Sequence, residues 1–340
     1  MIKKVIVFLV FVMVSVMVSG VVLELTLRAL GNSPYRLPTF SFTSEPTWCF
    51  GKDSLGIVPI PGTFDVNLNG LLHTVTHGLD SNRITSYDSY LEDDQRPEIY
   101  LYGCSYPYGQ GVDDQESYPF VLQQKFPAFR VRNYSRPGYG TLQAFLQLNK
   151  AFNSGFRPKL VIVNFASFHE ERNVLSRSYQ YKLHLGCELM NADAEKMIYP
   201  MATALKDSFH VSYENVIHKF KPVPFRKTSA LMNMIDLKLS AIGTEQLKDM
   251  ASSKMLLRFI NALCKKHQTQ LVIADIAYSN GSSIIKEYCQ ANKMDYVNIS
   301  PDFSAGGFRN LPYDSHPNAR AHKVYAQKMT EYLNGILPAQ

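Results

Sequence analysis

Charge is sparse in this chain. Lys, Arg, Asp and Glu make up 19% of 340 residues, and the net charge is only +6. The basic residues are scattered and form no stripe, which argues against a nucleic-acid partner. Cys-x-x-Cys spacing is missing, so the five cysteines (Cys49, Cys104, Cys187, Cys264 and Cys289) predict neither a zinc site nor a redox pair. Their odd number is no disulfide framework; they read as buried thiols, with one bridge between distant cysteines left open. There is no His-Glu-x-x-His or similar spacing, so no metal is expected, and no cofactor is called for. Repeats and low-complexity tracts are absent too. A hydrophobic content of 46% excludes a disordered chain.

Against this background one apolar run stands out. Lys3 and Lys4 precede an uncharged stretch from Val5 to Leu23. At about 1.5 Å per residue it spans roughly 28 Å, close to the thickness of a bilayer's hydrocarbon core. A cleaved signal peptide is the competing reading, with Val18-Ser19-Gly20 as the cleavage site, but its apolar core is usually shorter, about 7–15 residues. The lysines favour a cytoplasmic N-terminus and a domain on the far side of the membrane. The expected organisation is a transmembrane signal anchor over 1–30, a linker with a small β-rich segment over 31–95, and an α/β domain over 96–337.

Gly31, Pro34, Pro38 and Pro46 mark residues 31–48 as a linker or irregular packed segment. Short extended runs between Gly and Asn turns follow at about 55–90. From Ile99 onward apolar runs of strand length alternate with helical periodicity. Strands are expected at 99–102, 129–134, 160–163, 271–274 and 296–299, and helices at 117–126, 141–153, 245–267, 282–292 and 318–333. Residues 175–245 read as an excursion of loops and short helices. Strict alternation predicts a central, mostly parallel five-stranded sheet with helices on both faces, a flavodoxin-like three-layer sandwich. In such sheets ligands bind at the carboxyl ends of the strands.

Chemistry-bearing residues gather at those ends. The first strand runs into Gly103-Cys104-Ser105, where glycine permits a tight turn and exposes the serine. A serine hydroxyl is a weak nucleophile and needs a base within hydrogen-bond reach. Such a base is offered by Asp314-Ser315-His316-Pro317-Asn318 before the last helix: His316 as general base, Asp314 as its orienting carboxylate. After the second strand come Asn133 and Ser135-Arg136-Pro137-Gly138-Tyr139-Gly140, whose glycines allow close backbone approach to a ligand and offer a backbone amide able to donate to an oxyanion. Lys and Arg near Arg136 and Arg172 are candidate contacts for an anionic substrate, although solvated surface charge is the more common explanation for such residues.

Together these blocks resemble the SGNH-hydrolase superfamily, the GDSL esterases and lipases, over roughly residues 98–335. Gly103-Cys104-Ser105 with Gly109 is similar to that family's nucleophile block, Asn133 and Gly138 to its second block, and Asp314 and His316 to its last. Leu23-Glu24-Leu25-Thr26-Leu27-Arg28 and His77-Gly78-Leu79-Asp80 look like membrane-anchored members. The resemblance departs at two places. Cys104 stands where the family has aspartate, and no Gly-x-Asn-Asp follows the third strand, where Asn164-Phe165-Ala166-Ser167-Phe168-His169 is found instead. His169 is the expected substitute for the family's oxyanion-binding asparagine, with Asn173 as a second candidate.

The resemblance implies a membrane-anchored serine esterase with Ser105, His316 and Asp314 as catalytic residues. Its oxyanion hole would comprise Ser105, Gly138 and His169, and its substrate an acylated small molecule, lipid or glycan. Two alternatives stand beside it: an O-acyltransferase modifying a surface glycan, and a catalytically inactive glycan-binding protein.

Overall fold

The apolar run forms the first part of a single long helix, α1 (Ile2–Ala29), in which only Leu27 is buried. By length and composition, with a mean hydropathy of 3.0 over its most apolar window, it is able to cross a membrane. The computed structural model describes residues 2–88, 94–189, 197–245 and 247–337, the side chains of 217, 244 and 245 excepted. The end of the expected β-rich segment, 89–93, and residues 190–196 of the excursion lie outside the described residues.

After α1 come five short strands: β1 (Phe42–Glu45), β2 (Phe50–Asp53), β3 (Gly56–Pro59), β4 (Gly62–Leu68) and β5 (Leu71–His77). The β-rich segment therefore begins at Phe42, inside the stretch expected to be linker, because β1 pairs antiparallel with β4. Along β4 and β5 buried and exposed residues alternate, so one face packs and one is solvated.

The remaining elements are, in order, β6 (Glu98–Tyr102), α2 (Ser105–Tyr108), α3 (Tyr118–Lys125), β7 (Arg130–Asn133), α4 (Thr141–Asn153), β8 (Leu160–Ala166), α5 (His169–Asn173) and α6 (Arg177–Leu189). Then follow β9 (Ile198–Ala204), β10 (Phe209–Asn215), α7 (Val216–Lys219), α8 (Ala230–Glu245), α9 (Ala251–Lys266), β11 (Gln270–Ala277), α10 (Asn280–Ala291), β12 (Asp295–Asn298) and α11 (Ala319–Asn334). Five strands form one sheet in the order β12-β11-β8-β6-β7, and every neighbouring pair is parallel. β8 is buried along its whole length, as a strand covered on both faces must be. Alternate residues of β6 feed two cores. Ile99 and Leu101 pack with Leu122, Tyr325 and Met329 from α3 and α11. Tyr100 and Tyr102 pack with Leu148, Leu257 and Ile285 from α4, α9 and α10. This is the expected three-layer α/β sandwich.

Two expectations need correction. The helix expected over 245–267 is interrupted: α8 ends at Glu245 and α9 starts at Ala251, after Met250 takes a left-handed conformation at φ 56°. The excursion over 175–245 is more regular than its sequence suggests. It holds α6 and α8 and an antiparallel hairpin, β9–β10, that apolar periodicity did not signal because Pro200 and a run of part-buried polar residues interrupt the pattern. The five cysteines are free and buried.

Helix α1 is fastened to this domain by Glu24. Its carboxylate accepts hydrogen bonds from the backbone amides of Ala230 (2.8 Å) and Leu231 (3.0 Å) and from the Ser229 hydroxyl (2.8 Å). A carboxylate from one helix thus caps the exposed amides that begin α8.

Candidate active site

The strand order reverses between β6 and β8, so a crevice opens at their carboxyl ends. Ser105 lies there, as the first residue of α2, immediately after β6. Gly103 makes the turn possible by its lack of a side chain: a Cβ on it would stand 2.5 Å from Pro107 Cγ and 3.0 Å from Asn164 Cβ. Gly109 ends α2 at φ 90°, the left-handed conformation that closes short helices.

The His316 loop reaches Ser105 across 211 residues of sequence. His316 Nε2 lies 2.9 Å from Ser105 Oγ, and His316 Nδ1 hydrogen-bonds Asp314 Oδ2. Burial pushes the Asp314 carboxyl up, but the hydrogen bond and charge of His316 and the amides of Ser315 and His316 outweigh it, leaving the group below the usual carboxylate range. An ionised Asp314 can only accept, so His316 Nδ1 carries the proton and Nε2 is free to accept the Ser105 hydroxyl. Asn310 shapes this loop: its backbone amide donates to the His316 carbonyl (3.0 Å), and its Nδ2 donates to the Gly111 carbonyl (3.1 Å) in the loop that follows α2.

Gly138 is the third residue of a turn closed by a bond from the Tyr139 amide to the Arg136 carbonyl (3.3 Å), with Pro137 before it and φ 79° at the glycine. Pro-Gly at these positions is the chemistry of a type II turn. The Tyr179 hydroxyl donates to the Gly138 carbonyl at 2.6 Å, and a Cβ on Gly138 would lie 2.8 Å from Tyr199 Oη. The excursion therefore packs directly on this turn. Asn133 braces it from below, donating to the Pro107 carbonyl (3.2 Å) and accepting from the Ser135 amide (3.1 Å). Arg136 is engaged at the surface with Asp53 (3.4 Å) and the Tyr139 hydroxyl (3.3 Å).

The two expected substitutes for the missing asparagine differ in their surroundings. His169 is fully buried between the rings of Phe165 and Phe168, and neither ring nitrogen has a hydrogen-bond partner. Burial and the charge of Arg172 hold it well below the usual histidine range, so it is neutral. Asn173 is committed elsewhere, accepting from the Leu142 amide (3.0 Å) and donating to Ser253 Oγ (3.1 Å).

Other supports escaped the sequence reading. Arg83 is buried behind α2 and donates to Asp114 Oδ1 (2.9 Å) and to the carbonyls of Tyr108 (3.2 Å), Gly109 and Val112 (2.7 Å). His77 Nδ1 donates to the Ile60 carbonyl (2.9 Å), which leaves Nε2 to accept from the Tyr108 hydroxyl (2.7 Å). A run of aromatics borders Ser105. Tyr106 packs edge-on against both His316 and Phe168, with ring centroids 5.6 Å apart in each pair. Phe168 in turn lines a cleft of about 550 Å³ with Ser167, Met250 and Ser279.

Solved structures similar to this chain are described as esterases and G-D-S-L-family lipolytic proteins. An esterase from Pseudoalteromonas is 10% identical, covering 70% of this chain and 97% of its own, with a TM-score of 0.39. A lipolytic protein of the G-D-S-L family from Veillonella parvula is 10% identical over 70% and 98%, with a TM-score of 0.40. A protein from Bacillus subtilis is 12% identical over 90% and 77%, with a TM-score of 0.42. No protein-family model and no curated protein matches the chain. At such low identities and TM-scores these likenesses assign no activity, so the chemistry must come from the chain's own side chains.

Proposed function

We propose that this chain is a membrane-anchored serine esterase acting on an O-acyl ester. Its parts are the anchor at 1–30, the linker and β-rich segment at 31–95, and the catalytic domain at 96–337, held outside the cytoplasm by α1. The observation that carries the reading is the relay Ser105–His316–Asp314, with Nε2 at 2.9 Å from the hydroxyl and the carboxylate on the opposite ring nitrogen.

Ser105 Oγ attacks the ester carbonyl carbon while His316 Nε2 takes the hydroxyl proton. Asp314 stays ionised and stabilises the imidazolium. The carbonyl electrons move onto oxygen, where the amides of Ser105 and Gly138 bind the anion. The intermediate collapses, the alcohol leaves with the proton from His316, and an acyl-serine remains. Water then attacks the acyl carbon, giving its proton to His316, and the carboxylic acid departs as Ser105 recovers its proton.

The test is turnover of p-nitrophenyl acetate by the full chain in detergent, beside Ser105→Ala. The expected result is a loss of at least about 1000-fold in kcat. Equal turnover by the two proteins would overturn the assignment.

A further inference from the structure

Arg172 stands out among the cations of this face because its charge is unanswered. Among the described residues no carboxylate lies within ion-pair distance of it: neighbouring Glu171 pairs with Lys182 (3.1 Å), and the Glu170 carboxylate caps α9 through the amides of Ser252 and Ser253, both at 2.8 Å. Yet Arg172 is held in place. One Nη1 proton goes to the Tyr139 carbonyl at 2.6 Å, and the guanidinium carbon lies 4.5 Å from the Phe168 ring centroid and 5.5 Å from that of Tyr179. Burial pushes the Cys104 thiol up, and the nearby Arg172 charge works against that push.

These contacts locate the charge. Cys104 directly precedes Ser105, Tyr139 directly follows Gly138, and Phe168 packs on Tyr106, the residue after the nucleophile. The guanidinium is therefore bounded by immediate neighbours of the serine and of the glycine whose amides face the developing oxyanion. Leaving a half-buried cation unpaired costs stability unless an anion arrives. The anion that forms here is the tetrahedral oxygen, and a fixed cation beside it is worth more in a dry site than in water. Arg172 retains further N–H donors beyond the one given to Tyr139.

We propose that Arg172 supplies the third oxyanion donor, in the place where sequence reasoning looked to His169. The inference rests on Ser105 being the nucleophile. Arg172 donates an N–H to the oxygen as the carbonyl electrons move onto it, and no bond to Arg172 is made or broken. Cys104 leaves the charge available for that role: a thiol does not neutralise the guanidinium, whereas a carboxylate at that position would.

The experiment compares wild type, Arg172→Ala, Arg172→Lys and Ser105→Ala with p-nitrophenyl acetate, a substrate that carries no charge for Arg172 to bind. Far-ultraviolet circular dichroism and the thermal midpoint are recorded for each. Arg172→Ala is expected to lose about 100–1000-fold in kcat, with KM changed by less than about threefold. Arg172→Lys is expected to retain part of the activity, and added guanidinium at millimolar concentration to restore part of it to Arg172→Ala but none to Ser105→Ala. An unchanged kcat in Arg172→Ala overturns the proposal. So does a rise in KM at constant kcat, which would mark ground-state binding instead. A loss that neither lysine nor guanidinium mends, accompanied by a lowered thermal midpoint, would mark a structural role and overturn it also. If Arg172→Ala does not fold, the kcat of Arg172→Lys decides: a value equal to wild type refutes the need for a directed guanidinium fork. Wild-type and Ser105→Ala turnover that are equal would instead sink the nucleophile, a failure distinct from all of these.

Discussion

Arg83→Met should be among the most damaging substitutions in the chain that touch no reacting atom. The Arg83 side chain is fully enclosed and Asp114 almost so, at 0% and 3% exposure. Methionine fills much of the same volume but removes all the donors. Asp114 then keeps a buried charge whose remaining protein donor is the Thr76 amide, the carbonyls of Tyr108 and Val112 lose their Arg83 donor, and that of Gly109 keeps only the Val112 amide (3.4 Å). Breaking a buried ion pair from one side costs about 3–5 kcal/mol, and an orphaned buried carbonyl about 1–3 kcal/mol more, though the two are not additive. Against a typical total of about 5–15 kcal/mol, the lower figure alone is a large fraction. At about 2–4 °C per kcal/mol the thermal midpoint should fall by roughly 6–20 °C. Arg83→Lys should also destabilise, by less, because one ammonium cannot reach an acid and several divergent carbonyls at once. The assay is thermal unfolding of the full chain in detergent, followed by circular dichroism, with the Arg83→Met/Asp114→Leu double variant alongside. The double variant should recover part of the loss, since the stranded charge is gone. A midpoint for Arg83→Met within about 2 °C of wild type, well under 3 kcal/mol, would refute the reasoning.

Gly138→Ala should lower kcat by about 10–100-fold, because its backbone is at φ 79° and the new Cβ would meet Tyr199 Oη at 2.8 Å; steady-state kinetics on p-nitrophenyl acetate checks it. Acid should destabilise the protein through His73 and His77, which burial holds down to about 4. Both are neutral in the fold while the unfolded chain binds protons below about pH 6.5, so stability is full above that pH and falls by up to about 1.4 kcal/mol per pH unit for each histidine until about pH 4. Urea midpoints between pH 7 and 4.5 measure the slope, and His77→Gln should flatten it by one histidine's share.

The sheet was legible because its strands are buried on both faces. Leu160–Val163 and Leu271–Ala274 are unbroken apolar runs, and β8 and β11 are where such runs belong, in the middle of the sheet. Ser105, Asp314, His316 and Gly138 were legible because each stands at a strand end or in a loop whose glycine or proline marks a turn. The β9–β10 hairpin was not, since it packs on α4 and α9 through scattered positions and leaves much of its length part-exposed. Arg83 was invisible for a related reason: nothing in its local sequence distinguishes a buried arginine from a solvated one, and its partner Asp114 lies 31 residues on. Arg172 was visible only as a charge, because whether a cation is paired depends on where Glu170 and Glu171 turn, and neither turns toward it.

What the sequence divides into separate regions, the fold brings to one edge. The β-rich segment holds α2 from behind through Arg83 and through His77 on Tyr108. The C-terminal loop ties to the same turn through Asn310 on Gly111. The excursion fixes the Gly138 turn through Tyr179, and α5 carries Arg172 to the Tyr139 carbonyl. A donor aimed at a developing charge stabilises it only if the donor does not have to reorganise when the charge appears. The additions to the five-stranded sheet are thus most economically understood as the means by which the serine, the glycine amide and the arginine hold fixed positions relative to one another. A weakening of any of these supports should therefore appear in kcat before it appears in KM.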